Sequence, residues 1–203
     1  MKFNCVIDTC SFIYLHRVTC NRKSLLSYLK NATNLILSPE VNVEIRDHLL
    51  DGMPSNEERK RFVKIARKHS IPEYERRIAG KTYSPRERNK GEIDNFIISI
   101  DQVHHFKRIG VIFLTDDSNC LRGILKECSI AFPTIKIWTS YEVVLFLYIE
   151  RVIPSIDLAS DAIGDLISST APKPAERTME YTQKLIKLRA EYESKLKTVS
   201  KIF

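Results

Sequence analysis

Four short apolar runs, each closed by a polar residue and followed by a helical pattern, constrain this chain more than any other feature of it. They fall at about residues 2 to 8, at Asn34-Leu35-Ile36-Leu37, at Val111-Ile112-Phe113-Leu114 and at Ile135-Lys136-Ile137-Trp138. Runs this short suit strands buried on both faces. Strands that alternate with helices indicate βαβ units, hence a parallel sheet with right-handed crossovers. The expected class is therefore α/β.

The segments between the runs carry their own signals. Ser11 to Lys30 reads as one or two helices, with Leu25, Leu26 and Leu29 on an apolar face. Ser38-Pro39-Glu40 is a helix start, a capping hydroxyl followed by proline, and Val41, Ile45 and Leu49 mark that helix's inner face. Asn56-Glu57-Glu58 opens a helix expected to reach about Lys68, with Phe62, Ile65 and Ala66 inward. Residues 71 to 90 hold Pro72, Gly80 and Pro85 without a clear period and are expected to be irregular and mobile. From Gly91 the helical period resumes through Ile93, Phe96, Ile97, Ile100, Val103 and Phe106. A short helix to about Glu127 follows the third run, and Thr139 or Ser140 caps another that ends before Pro154.

Beyond Pro154 a small-residue helix over about 155 to 169 precedes the stiff break Ala171-Pro172-Lys173-Pro174. Tyr181, Leu185, Leu188, Tyr192, Leu196, Val199 and Phe203 then form a single apolar stripe. A charged helix with one such stripe is not stable alone in water, so it needs a partner surface within the chain, on a second copy or on a regulatory protein. The expected organisation is a domain over 1–153 with a basic insertion at about 51–90, and a helical extension over 154–203 with a linker near 170–177.

No apolar run approaches the roughly 18 residues of a membrane span. Met1-Lys2 leads straight into the first strand without a signal-peptide pattern. A cytoplasmic protein with no membrane partner is expected. Five cysteines, none closely paired, read as reduced core thiols. The charge is more telling: residues 56 to 90 hold twelve Lys or Arg against five Glu, an excess equal to the whole chain's net charge of +7. A basic patch confined to one segment points to a polyanionic partner. The residues expected to bind RNA are Arg59, Lys60, Lys64, Arg67, Lys68, Arg76, Arg77, Lys81, Arg86, Arg88 and Lys90. Charge alone does not separate RNA from DNA, since both present phosphates.

Acids gather at one edge of the expected sheet. Asp8 ends the first strand, Glu44 lies in the helix after the second, Asp94 and Glu92 open the helix after Gly91, and Asp116-Asp117 follow the third run. Strand ends and the starts of following helices share an edge of a parallel sheet, so these carboxylates converge. Crowded carboxylates raise one another's pKa unless a cation compensates. Oxygen-only donors suit Mg²⁺ or Mn²⁺, which activate water and neutralise a phosphodiester under attack.

Asp8-Thr9 after a first strand, Glu44 within Ser-Pro-Glu-Val-Asn-Val-Glu, Asp94 within Gly-Glu-Ile-Asp-Asn-Phe-Ile-Ile, and Phe-Leu-Thr-Asp-Asp together resemble the PIN domain over roughly residues 1 to 150. That family consists largely of metal-dependent ribonucleases, VapC-type toxins among them. The resemblance implies a three-layer α/β/α sandwich with a mainly parallel central sheet. It also implies an endoribonuclease that uses a metal-activated water, with Asp8, Glu44, Asp94 and Asp117 as catalytic metal ligands for Mg²⁺ or Mn²⁺. Thr9, Glu92, Thr115 and Asp116 support them. Cys10 stands where the family more usually has a small polar residue.

Simpler roles exist for each acid. Asp94, Glu92 and Asp117 suit helix caps, and Glu44 suits an ion pair. Asp8 has no local helix start that plainly needs it. Two other classes are an inactive PIN-like scaffold that binds RNA or a partner protein, and a phosphate-accepting receiver domain. The receiver would want an acid pair after the first strand, whereas Asp8 stands alone.

Overall fold

The computed structural model describes residues 2–47, 64–65, 90–105, 110–117, 120–121, 130, 132–170 and 178–202. Its strands are β1 (Phe3–Ile7), β2 (Thr19–Cys20), β3 (Lys23–Ser24), β4 (Thr33–Leu37), β5 (Lys64–Ile65), β6 (Val111–Leu114) and β7 (Ile135–Trp138). Its helices are α1 (Thr9–Arg17), α2 (Leu25–Ala32), α3 (Pro39–Asp47), α4 (Lys90–His105), α5 (Ser140–Ile149), α6 (Ile156–Thr170) and α7 (Met179–Ser200). The α/β class and the four expected strands are present.

β1 lies at the centre of a parallel sheet of order β5-β4-β1-β6-β7. Cys5, Val6 and Ile7 are almost wholly buried, as are all four residues of β6, which is why both read as unbroken apolar runs. From β1 the chain builds outward through β4 to β5, then returns to the other side of β1 for β6 and β7. Right-handed crossovers in opposite directions put helices on opposite faces, compatible with a three-layer sandwich. The strand order reverses between β1 and β6, and at the carboxyl ends of these strands such sheets have a crevice.

The chain divides into two compact units, one of Met1–Ile13 with Leu29–Thr139, the other of Tyr14–Tyr28 with Ser140–Phe203. In the second unit α5 packs with α6 and α7. In the first unit, Phe96 and Ile100 of α4 pack with Phe113, Cys120 and Ile135, so the periodic face of α4 covers the β6 side of the sheet. In the second, the apolar stripe of α7 finds its cover within the chain. Tyr192 and Leu196 are buried, the Tyr192 ring lies 5.0 Å from that of Tyr141, and its hydroxyl donates to Glu142.

Two local expectations are corrected. Lys64 and Ile65 are not helical: they pair in parallel with Ile36 and Leu37 at the end of the sheet. Branched Val63 and Ile65 around a lysine fit an edge strand as well as a helix, and the pairing with β4 decides it. The Ser11–Lys30 segment contains a hairpin between its helices. Its turn residues Asn21 and Arg22 have φ of 48° and 63°, the left-handed pair that a two-residue turn demands. Of the expected one or two helices the structure has two, and the hairpin that joins them was not expected. The rest of the expected 56–68 helix, the connection over 71–89, the helix beyond Leu121, the 171–174 break, Leu49, Phe106 and Phe203 lie outside the described residues. No helix among the described residues is long and apolar enough to cross a membrane.

Leu196→Ala should test the docking of α7. Loss of this buried side chain should cost the second unit about 2–5 kcal/mol, read as a lower urea midpoint in chemical denaturation.

Candidate active site

Asp8 is where strand becomes helix. Its backbone N–H donates to Leu114 O at 3.0 Å, the last rung between β1 and β6, and its carbonyl accepts from Phe12 N at 3.0 Å as α1 begins. The carboxylate is buried and bonded on both oxygens. Ser11 N donates to Oδ1 at 2.7 Å, and the Thr115 hydroxyl donates to Oδ2. The expectation that no helix start needs Asp8 is therefore corrected: α1 starts at Thr9 and Asp8 is its N-cap. Burial pushes its carboxyl up to about 7, with the charge of Asp116 adding to the rise and the bonds from Thr115 and Ser11 opposing it.

The acids after β6 are held differently from one another. The Ser11 hydroxyl donates to Asp116 Oδ2 at 2.8 Å. Asp117 N donates to Thr115 Oγ1 at 3.1 Å, and Asp117 Oδ1 accepts from Cys120 N at 3.4 Å, so Asp117 also caps the helical turn at 120–121. Thr115 thus joins Asp8 to Asp117, and Ser11 joins Asp8 to Asp116.

Helices α3 and α4 bring the other carboxylates. Thr9 Oγ1 donates to Glu44 Oε2 at 2.5 Å, tying α3 to the first residue of α1. Glu44 also lies against the first turn of α4: a Cβ on Gly91 would stand 2.5 Å from Glu44 Oε1, so a larger residue there would have to push the carboxylate aside. Next to it, burial raises the Glu92 carboxyl above its ordinary range, and the charges of Glu44 and Asp117 raise it further. Asp94 instead accepts from Glu40 N at 3.1 Å, capping α3. The contacts and mutual charge effects thus link Asp8, Glu44, Glu92, Asp116 and Asp117 in the first unit, with Asp94 bonded at the cluster's α3 side.

Three residues escaped the sequence reading. Ser11 is wholly buried and touches two acids; its spacing of three from Asp8 is a capping signal, but only the fold shows Asp116 on its other side. Cys10 is an exposed thiol and not a core one, held up to about 12 by desolvation of its sulfur and by the charges of Asp8, Asp117, Asp116 and Glu92. Asn95, fully buried, donates from Nδ2 to Ile7 O at 3.3 Å, while its Oδ1 has no hydrogen-bond partner. In that place an orphaned acceptor is an unusual expense of folding energy.

Oxygen donors fit a hard cation in kind. As placed, no group of three or more His, Cys, Asp or Glu among the described residues is disposed to enclose a metal ion. Of the expected RNA-binding residues, Lys64 contributes backbone to β5 and Lys90 opens α4. Arg59, Lys60, Arg67, Lys68, Arg76, Arg77, Lys81, Arg86 and Arg88 lie outside the described residues. Comparisons of the chain with family models, with curated proteins and with solved structures found no significant match.

The raised carboxyl of Asp8 sets a pH dependence. The folded protein keeps a proton on Asp8 up to about pH 7, while the unfolded chain releases it near the ordinary value of 3.8. Asp8 therefore lowers stability as pH rises from about 4 to about 7, by at most on the order of 4 kcal/mol without metal. In metal-free buffer, Asp8→Asn should flatten the fall in melting temperature over that interval and melt higher than wild type at pH 8.

Proposed function

We propose that this chain is a metal-dependent endoribonuclease of the PIN type, with Mg²⁺ or Mn²⁺ as cofactor. The observation that carries the reading is the position of Asp8, at the carboxyl end of the central strand where the strand order reverses, with Asp116 and Asp117 at the end of the neighbouring strand. Glu44 and Glu92 reach the same cluster from α3 and α4. Asp94 caps α3, the helix that carries Glu44. A parallel sheet offers its ligand site at this edge, and a cluster of carboxylates there repels itself unless it has a cationic task.

Asp8, Glu44, Asp117 and Asp94 would hold the cation, with Asp116 and Glu92 beside them. When bound, a divalent ion lowers the pKa of water and neutralises charge building on a phosphodiester. The chain's own residues do the positioning. Thr115 and Ser11 fix both oxygens of Asp8, and Thr9 and Gly91 fix Glu44. Lys and Arg of residues 56–90 would grip RNA phosphates, a term that weakens as salt rises.

The test is incubation of the pure full chain with a total RNA pool and Mn²⁺, with mapping of the cut ends. Internal cuts leaving 5′-phosphates are expected, abolished by EDTA and reduced at least ~100-fold in Asp8→Asn, since a lost ligand removes several kcal/mol of transition-state stabilisation. Undiminished cleavage by folded Asp8→Asn protein would sink the reading. RNA binding without cleavage would instead identify a scaffold.

A further inference from the structure

Among the described residues, three other than glycine take a left-handed backbone, and two of them are arginines of the second unit. Arg22, at φ 63°, is the second residue of the turn between β2 and β3, a position that strongly favours glycine. Arg151, at φ 56°, follows α5; its N–H donates to Tyr148 O at 3.0 Å, and the N–H of Val152 to Leu147 O at 2.9 Å. These two bonds make a Schellman cap, whose left-handed residue is again most often glycine. Any side chain is disfavoured in this conformation, yet the chain places a long cationic one at both positions.

Both arginines are exposed, and among the described residues neither forms an ion pair. Lys23, next to Arg22, is exposed as well, and the sequence has no acid between Asp8 and Glu40. Asp161 of α6 adds its charge to the rise that burial gives the Cys20 thiol, but it pairs with neither arginine. The turn that carries Arg22 is held at its base, where the Tyr28 hydroxyl donates to Cys20 O at 3.1 Å and Leu25 N to Val18 O at 2.9 Å. Strain that persists at exposed, well-supported positions points to a task for the side chain outside the chain itself. A guanidinium presents a fork of donors matched to phosphate oxygens.

We propose that Arg22 and Arg151 bind RNA phosphates on the second unit, in addition to the basic residues of 56–90. This rests on the RNA partner proposed above, but neither on a metal ion nor on cleavage.

The test is fluorescence-anisotropy titration of a labelled single-stranded RNA with the full-length chain in EDTA, at several salt concentrations, with melting temperatures alongside. Each phosphate contact makes single-strand affinity fall as roughly the 0.7 power of salt concentration, so losing one contact costs about 5-fold near 0.1 M salt. Arg22→Gly and Arg151→Gly should each weaken binding by about that factor and flatten the logarithmic salt slope by about 0.7. Their melting temperatures should hold or rise, because glycine suits both positions. Arg22→Lys, which keeps the charge, should recover most of the affinity. Lys187→Ala, which removes an exposed charge from α7, should bind close to wild type.

Arginines that only hold the turn and the cap would instead lower the melting temperature when replaced and leave RNA affinity unchanged. That result, or a loss in Lys187→Ala as large as in Arg22→Gly, would overturn the proposal. A wild-type chain that binds no RNA overturns it too, and the nuclease reading is then decided by the cleavage assay alone. Arginine-dependent binding without cleavage would sink the nuclease and keep this surface.

Discussion

The hydrogen bonds on the two oxygens of Asp8 are what the rest of the site depends on. One comes from α1 and the other from the residue after β6, so a single carboxylate joins the central strand, the helix that follows it and the neighbouring strand. The bonds do not offset burial: the carboxyl still rises to about 7. A side chain held this firmly in an unfavourable electrostatic position is a common mark of a working site.

The surrounding acids show the same balance of geometry against repulsion. The Glu44 carboxylate lies where a Cβ on residue 91 would stand, and a hydroxyl from Thr9 steadies it. Glu92 follows immediately and feels Glu44 and Asp117. Each acid is supported by a hydroxyl, an amide or a missing Cβ. Such an arrangement stores repulsion that a bound cation would release, which is why metal binding and stability should be coupled here.

Much of this was legible in the residues, because Cys5-Val6-Ile7 of β1 and all of β6 are buried and so read as apolar runs, and because Ser38-Pro39 is a local signal that acts locally: Val41 N does donate to Ser38 Oγ at 3.2 Å. The strand ends followed from the runs, and with them the meeting of Asp8 with Asp116 and Asp117. What was not legible depends on long-range pairing. β5 exists because Ile36 and Leu37 offer it a neighbour, and the periodicity of residues 56–68 contains no trace of that. The hairpin turn lacks the usual glycine, with Arg22 taking a left-handed conformation instead. Likewise nothing near Ser11 in sequence announces Asp116, and nothing near Asp94 announces Glu40.

Cys10 carries a consequence for the chemistry of the protein under oxidising conditions. Peroxides and alkylating agents attack the thiolate, and an exposed cysteine beside a reactive site is ordinarily a point of damage. Here desolvation of the sulfur, and after it the charges of Asp8, Asp117, Asp116 and Glu92, hold the proton on, so the thiol is chemically quiet at neutral pH. Desolvation and the surrounding acids thereby shield the one exposed thiol among the described cysteines.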